Sequence, residues 1–271
     1  MSDPAPRPVR FGDLGARLAS GLALAVIGLA AVWLGAAAFA ALVALAAALM
    51  LWELHRMVTG IGGIDAAPMV VLVVAGAGAV VATLIKGLPA GAAVVAIGVL
   101  AVALLAPKGR SWLAAGLVYV GLAMCFAVAL RDTPGTGLAL AVWLVLVVVA
   151  ADVGAYFVGR AVGGPKLWPA VSPGKTWSGA LGGLAAAVLA GVAVALVLGW
   201  PAARLGALSG AMAVASQAGD LLESAVKRRF GFKDSSRLIP GHGGVMDRLD
   251  AIMGALWFTA LWGLLGGGVI P

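Results

Sequence analysis

Asp220 and Asp247 are carboxylates at the margins of long apolar runs, with Glu223 and Asp250 each three residues further on and Asp152 in an earlier run. Acids in such runs are costly in lipid and mark function when they face a bundle interior or a wet cavity. Positions three apart share a helix face, so each pair would present its carboxylates together. Carboxylates gathered near an aqueous boundary repel one another unless a cation neutralises them. An oxygen-only donor set favours a hard ion such as Mg2+, and Asp220 and Asp247 are the candidate metal ligands. The competing reading pairs the acids with Lys227, Arg228, Arg237 and Arg248; Glu223 and Lys227 have the i,i+4 spacing of an ordinary helical ion pair.

Two stretches could hold an anion. The first reads Gly163-Gly164-Pro165-Lys166, then Ser172-Pro173-Gly174-Lys175-Thr176-Trp177. Its Gly-Lys-Thr is not a P-loop, because the first glycine that motif requires is Pro169 here and no strand is expected before it. What remains is a loop of backbone donors, a lysine and hydroxyls leading into a helix N-terminus, which suits phosphate; ordinary loop lysines would look the same. The second stretch runs Ser224-Ala225-Val226-Lys227-Arg228, then Lys233-Asp234, then Pro240-Gly241-His242-Gly243-Gly244-Val245-Met246-Asp247-Arg248-Leu249-Asp250. Its glycines allow close backbone approach to a ligand. His242 could contact phosphate, transfer a proton or fix the turn, and with no partner in view the phosphate or structural role is favoured. His55 reads as interfacial, and Cys125, the single cysteine, as a small buried hydrophobe.

The elements that position these residues must be membrane helices. The 271 residues are 63% hydrophobic and 11% charged, with a mean hydropathy of +1.10. A soluble domain carries about 25% charged residues, and no protein core of this size absorbs so much apolar surface. The expected fold is all-α, a single polytopic bundle of about nine transmembrane helices over 1–271. Runs of roughly 20 apolar residues fall near 18–34, 36–54, 68–86, 89–106, 112–130, 138–159, 178–199, 204–224 and 249–268. Nine spans put all 18 Lys and Arg except Lys86, Arg131 and Arg204 on one side. By the positive-inside rule that side is the cytoplasm. The N-terminus, the polar segment 1–17 and both anion-binding stretches then face it, and Asp152, Asp220, Asp247 and Asp250 share one depth near it. The opening Arg-containing segment resembles a signal peptide, but the apolar run after it is too long, so an uncleaved first helix is expected.

A net charge of +7 suits anionic headgroups or an anionic substrate. No basic stripe interleaves with aromatics, so nucleic acid is not an expected partner. Gly179 and Gly183, Gly206 and Gly210, and Gly263 and Gly267 are spaced for close helix packing, which permits a homodimer without requiring one. A transporter would also cluster such charges, but near the bilayer midplane rather than at one face.

The stretch from Ser224 to Asp250 resembles the signature of the phosphatidate cytidylyltransferases, S-x-x-K-R-x4-K-D-x5-P-x-H-G-G-x2-D-R-x-D. Ser224, Lys227, Arg228, Lys233, Asp234, Pro240, His242, Gly243, Gly244, Asp247, Arg248 and Asp250 fill every fixed position. The run from Asp152 to Arg160 is also similar. Where the family often has S-P-K-K-T-W-E-G, this chain has Gly174 and Ser178 in place of a lysine and the glutamate, while Ser172, Lys175 and Thr176 remain.

The resemblance implies transfer of CMP from CTP to phosphatidic acid, with membrane lipids as neighbours, at the cytoplasmic face of the cell membrane. It implies a metal centre of one or two Mg2+ ions on Asp220 and Asp247, the second ion open to being a different cation. The catalytic residues it carries over are Asp220, Asp247, Lys227, Arg228, Lys233, Asp234, His242, Arg248 and Asp250. Asp152, Lys166, Ser172, Lys175, Thr176, Ser224, Gly243 and Gly244 are the expected substrate contacts. A related enzyme that uses CTP but acts on a polyprenyl or ether-lipid phosphate would share these features.

Overall fold

The computed structural model describes residues 11–60 and 66–266 of the chain. The segment 1–10, most of the turn between the second and third spans, and the far end of the ninth span lie outside the described residues. Among the described residues nine helices follow one another: α1 Phe11–Leu34, α2 Ala36–Thr59, α3 Ala66–Lys86, α4 Leu88–Leu105, α5 Arg110–Arg131, α6 Gly137–Val162, α7 Trp177–Leu198, α8 Ala202–Arg229 and α9 Met246–Leu264. Over the described residues the all-α expectation holds apart from one small hairpin. Gly35, with φ +111°, separates α1 from α2, the boundary least visible in the sequence.

Among the described residues six helices, α2 to α7, are long and apolar enough to cross a membrane. Only 22% of the apolar windows of α4 and α7 is buried within the chain. Leu100 and Leu104 of α4 and Leu189 and Leu196 of α7 point outward, a surface that only lipid can cover without penalty. The helices α8 and α9 carry the charges of the site and fall outside this set. At 28 residues, α8 is about 42 Å long, more than the ~30 Å hydrocarbon core. Its last turn holds Lys227, Arg228 and Arg229, whose charges suit the negative end of the helix dipole.

The small residues act within the chain. A Cβ on Gly183 would stand 2.6 Å from the Ala151 carbonyl oxygen, and one on Gly179 would stand 2.8 Å from that of Ala155, so α6 and α7 touch backbone to backbone. Gly206 and Gly210 receive Val192 and Val188 of α7, and Gly219 of α8 lies against Gly254 of α9. The Gly179–Gly183 and Gly206–Gly210 faces are thus occupied within the chain, while Gly267 of the third pair, Gly263 and Gly267, lies outside the described residues.

Between α6 and α7, where a loop is expected, β1 (Lys166–Trp168) and β2 (Ser172–Thr176) form an antiparallel hairpin that pairs Lys166 with Thr176 and Trp168 with Ser172. Gly163 and Gly164, at φ +66° and +101°, turn the chain off the end of α6. The hairpin is pinned at its base: the Trp177 amide donates to the Pro165 carbonyl at 3.0 Å, and the Ser178 hydroxyl to that of Gly163. Two-residue periodicity is too weak over so short a stretch to separate such a hairpin from a loop.

Candidate active site

The hairpin folds over α8. It brings Lys175 Nζ to 2.5 Å from Asp220 Oδ2, and Ser224, one turn further along α8, donates to Asp220 Oδ1 at 3.3 Å. Arg228, at the end of the same helix, holds the hairpin turn through a 3.5 Å hydrogen bond to the Val171 carbonyl. Thr176 is nearly buried, and its hydroxyl accepts the Gly179 amide at 3.1 Å as the N-cap of α7. That geometry spends Thr176 on ending the hairpin and starting the helix. Lys166 is exposed on β1, and Ser172 is half-buried at the start of β2.

Asp247 lies in the first turn of α9, which begins a few residues before the expected apolar span. Its Oδ1 accepts Lys227 Nζ at 2.5 Å. Its Oδ2 accepts the Ser235 amide and hydroxyl, each at 2.9 Å, and the Gly244 amide at 2.8 Å. Burial would raise the Asp247 carboxyl, but the Lys227 ammonium and the Gly244 and Ser235 amides outweigh it and hold it below the usual carboxylate range. Burial would lower Lys227, yet the flanking Glu223 and Asp247 carboxylates raise it, so it stays an ammonium.

Lys227 therefore joins α8 to α9, with Glu223 Oε2 at 3.3 Å on its other side. Glu223 lies beside Asp250, and the Asp250 Oδ1 accepts the Ala251 amide at 2.7 Å. Asp152 sits on an exposed part of α6, within electrostatic reach of Asp250, Asp220, Lys175 and Arg248. Acids from α6, α8 and α9 lie within electrostatic reach of one another, and the hairpin lysine Lys175 contacts Asp220. Lys233, Asp234 and Arg248 are exposed around this centre.

The glycine segment acts by its lack of side chains. Gly243 has φ +85°, and a Cβ there would stand 2.7 Å from Asp247 Oδ2. A Cβ on Gly244 would meet Ser235 Oγ at 2.1 Å. His242 is half-buried; its Nδ1 lies 2.8 Å from the Ser20 hydroxyl of α1, which also donates to the Pro240 carbonyl at 3.2 Å. The histidine thus has the partner that its sequence surroundings did not supply.

The donor set fits a hard divalent ion in part. It is built of carboxylates, and neither buried oxygen of Glu223 receives a directed hydrogen bond among the described residues. Two carboxyl groups as close as Glu223 and Asp250 call for a shared proton or a cation. Lys175 and Lys227 now lie on the two proposed ligands, Asp220 and Asp247. No group of three such side chains among the described residues encloses an ion by itself. Ligands from substrate phosphates and water would have to complete a shell, which is how Mg2+ is commonly held.

Glu53 of α2 is the site residue that the sequence reading overlooks. It is fully buried and accepts hydrogen bonds from Ser235, Ser236, Val245 and Met246. An acid in the last turns of an otherwise apolar span was the available signal.

A family model described as "Cytidylyltransferase family" matches residues 15–264. A phosphatidate cytidylyltransferase of Brucella suis is 49% identical over 162 residues, which cover 58% of this chain and 59% of that protein. Proteins of the same name from Haemophilus influenzae and Bacillus subtilis are 49% identical over 131 residues and 38% identical over 138 residues. These matches cover 46% of this chain and 46% of the Haemophilus protein, and 50% of this chain and 51% of the Bacillus protein. The chain thus aligns with roughly half to three-fifths of the length of these curated relatives.

Proposed function

The chain belongs to the cytidylyltransferase family, and from that premise we propose that it transfers CMP from CTP to phosphatidic acid, giving CDP-diacylglycerol and pyrophosphate. The observation that carries this reading is the closure of the hairpin lysine onto the α8 carboxylate, Lys175 on Asp220, beside Lys227 on Asp247. Acids and bases from four segments meet where a water-soluble polyanion and a lipid headgroup could both be held.

In the proposed reaction a phosphate oxygen of phosphatidic acid attacks the α-phosphorus of CTP. The bond from that phosphorus to the α–β bridging oxygen breaks, and its electron pair leaves with pyrophosphate. The nucleophile is already an anion, so no strong general base is needed. The task of the protein is to bring two polyanions together and to orient them. Lys175 and Lys166 on the hairpin and Arg228, Lys233 and Arg248 around the signature loop supply positive charge to phosphates. Lys227 fixes Asp247, and Asp220 and Asp247 would hold one or two Mg2+ ions, or Mg2+ with a different second cation, to neutralise charge on the triphosphate. Asp152, on an exposed face of α6, marks a lateral side from which a headgroup could enter while its acyl chains stay in lipid.

The same reading places the N-terminus and the site at the cytoplasmic face of the cell membrane, with α1, α8 and α9 completing nine membrane-associated helices. It is supported by the charge asymmetry of the loops. The test is pyrophosphate release by the purified protein with Mg2+. Release that needs both CTP and phosphatidic acid supports the proposal, and release or inactivity indifferent to phosphatidic acid contradicts it.

A further inference from the structure

Glu53 has no part in the reaction as described above, yet it is among the most completely buried polar residues of the chain, at 0% exposure between Leu51 and Leu54. Burying a carboxylate is expensive unless its oxygens are satisfied. Here they are satisfied from one place. Oε1 accepts the Val245 amide at 2.9 Å and the Ser236 hydroxyl at 2.6 Å. Oε2 accepts the Met246 amide at 2.8 Å and the Ser235 hydroxyl at 3.0 Å. Three of the four donors belong to the connection between α8 and α9, and the fourth, Met246, is the first residue of α9. Two of them are the amides that open α9, where the positive end of the helix dipole favours an anion. Val245 occupies the N-cap position without a side chain able to cap, so the cap is delivered from another helix.

The arrangement reaches the reacting centre through one residue. Ser235 places its hydroxyl between Glu53 Oε2 and Asp247 Oδ2, and its amide also donates to Asp247. Gly244, whose amide is the next donor to Asp247, fits only because it has no Cβ, which would stand 2.3 Å from Glu53 Oε1. We infer that Glu53 is a positioning residue for nucleotidyl transfer: from α2 it fixes the Ser235–Met246 segment and thereby the orientation of the Asp247 carboxylate. This inference rests on the transfer reaction proposed above.

The geometry separates this role from packing. Each oxygen of Glu53 takes one backbone amide. In Glu53→Gln the amide nitrogen would face an N–H whichever way the side chain is flipped, although the volume is unchanged. Glu53→Asp keeps two acceptors and loses one methylene. A packing role makes Gln the mild change and Asp the harmful one. A positioning role reverses that order.

The experiment measures kcat and KM for CTP and phosphatidic acid in both variants, and hydrogen exchange of peptides covering 234–247 in the substrate-free protein. Expected is a fall in kcat of more than about tenfold in Glu53→Gln with KM for CTP moved less than about threefold. Expected too are partial recovery of kcat in Glu53→Asp and faster exchange at Gly244, Val245 and Met246 in Glu53→Gln. Wild-type kcat in Glu53→Gln, a greater loss in Glu53→Asp than in Glu53→Gln, or unchanged exchange would each overturn the inference. If the wild-type protein makes no CDP-lipid, the transfer reading fails by itself, and the exchange data still decide whether Glu53 holds the segment.

Discussion

Lys175 and Asp220 lie 2.5 Å apart, N to O, and this contact ties the β-hairpin to α8. Both side chains keep about a quarter of their surface exposed, at 27% and 26%, so the pair is worth little to stability. Its value is in placing a cation at the mouth of the acid cluster. Lys175→Met should therefore leave thermal unfolding almost unchanged and raise KM for CTP by about tenfold or more, with KM for phosphatidic acid moving much less. Equal effects on the two substrates would remove the nucleotide assignment.

The Lys227 contacts differ in kind. Side-chain exposure is 10% for Lys227, 7% for Glu223 and 6% for Asp247, and the ammonium is shared between the two acids. Lys227→Met would leave two buried carboxylates without their counter-ion, a loss of about 3 kcal/mol for a broken buried pair. A clearly lower unfolding midpoint in detergent is expected, together with loss of activity. A variant as stable as the wild type would show that the acids are neutralised some other way.

The signature glycines make a steric prediction. Gly244→Ala forces a methyl group into Ser235 Oγ and Glu53 Oε1, and should cost about 1–3 kcal/mol by overpacking along with most of the activity. Gly174 is the opposite case: no atom lies within 4 Å of a Cβ built there, and its φ is not positive. Gly174→Lys should fold normally and lower KM for CTP, because it adds a second cation beside Lys175. A raised KM would mean that the departure at this position is an adaptation rather than a tolerated loss.

The parts of this arrangement differ in how readily the sequence discloses them. Long apolar runs cut by Gly and Pro mark the helices, since each span must satisfy its own backbone in lipid. The meeting of Asp152, Asp220 and Asp250 follows from helix direction and depth alone. Glu53 does not, because its partners lie more than 180 residues away and nothing local marks which donors will reach an acid. The hairpin at Lys166–Thr176 is hidden for another reason: its strands are too short for periodicity and are fixed by the ends of α6 and α7. The Ser20–His242 contact likewise depends on where α1 docks, which an apolar pattern leaves open.

The most direct test of the account follows the label from CTP in a mixture of wild-type or Asp247→Asn protein, Mg2+ and phosphatidic acid. With the wild type, label at the α-phosphorus should enter the lipid fraction and label at the γ-phosphorus should appear in pyrophosphate. The variant should lose both by about a thousandfold or more. Label from the γ-phosphorus in lipid would identify a different transfer, and wild-type-like transfer by Asp247→Asn would contradict the role given to that carboxylate.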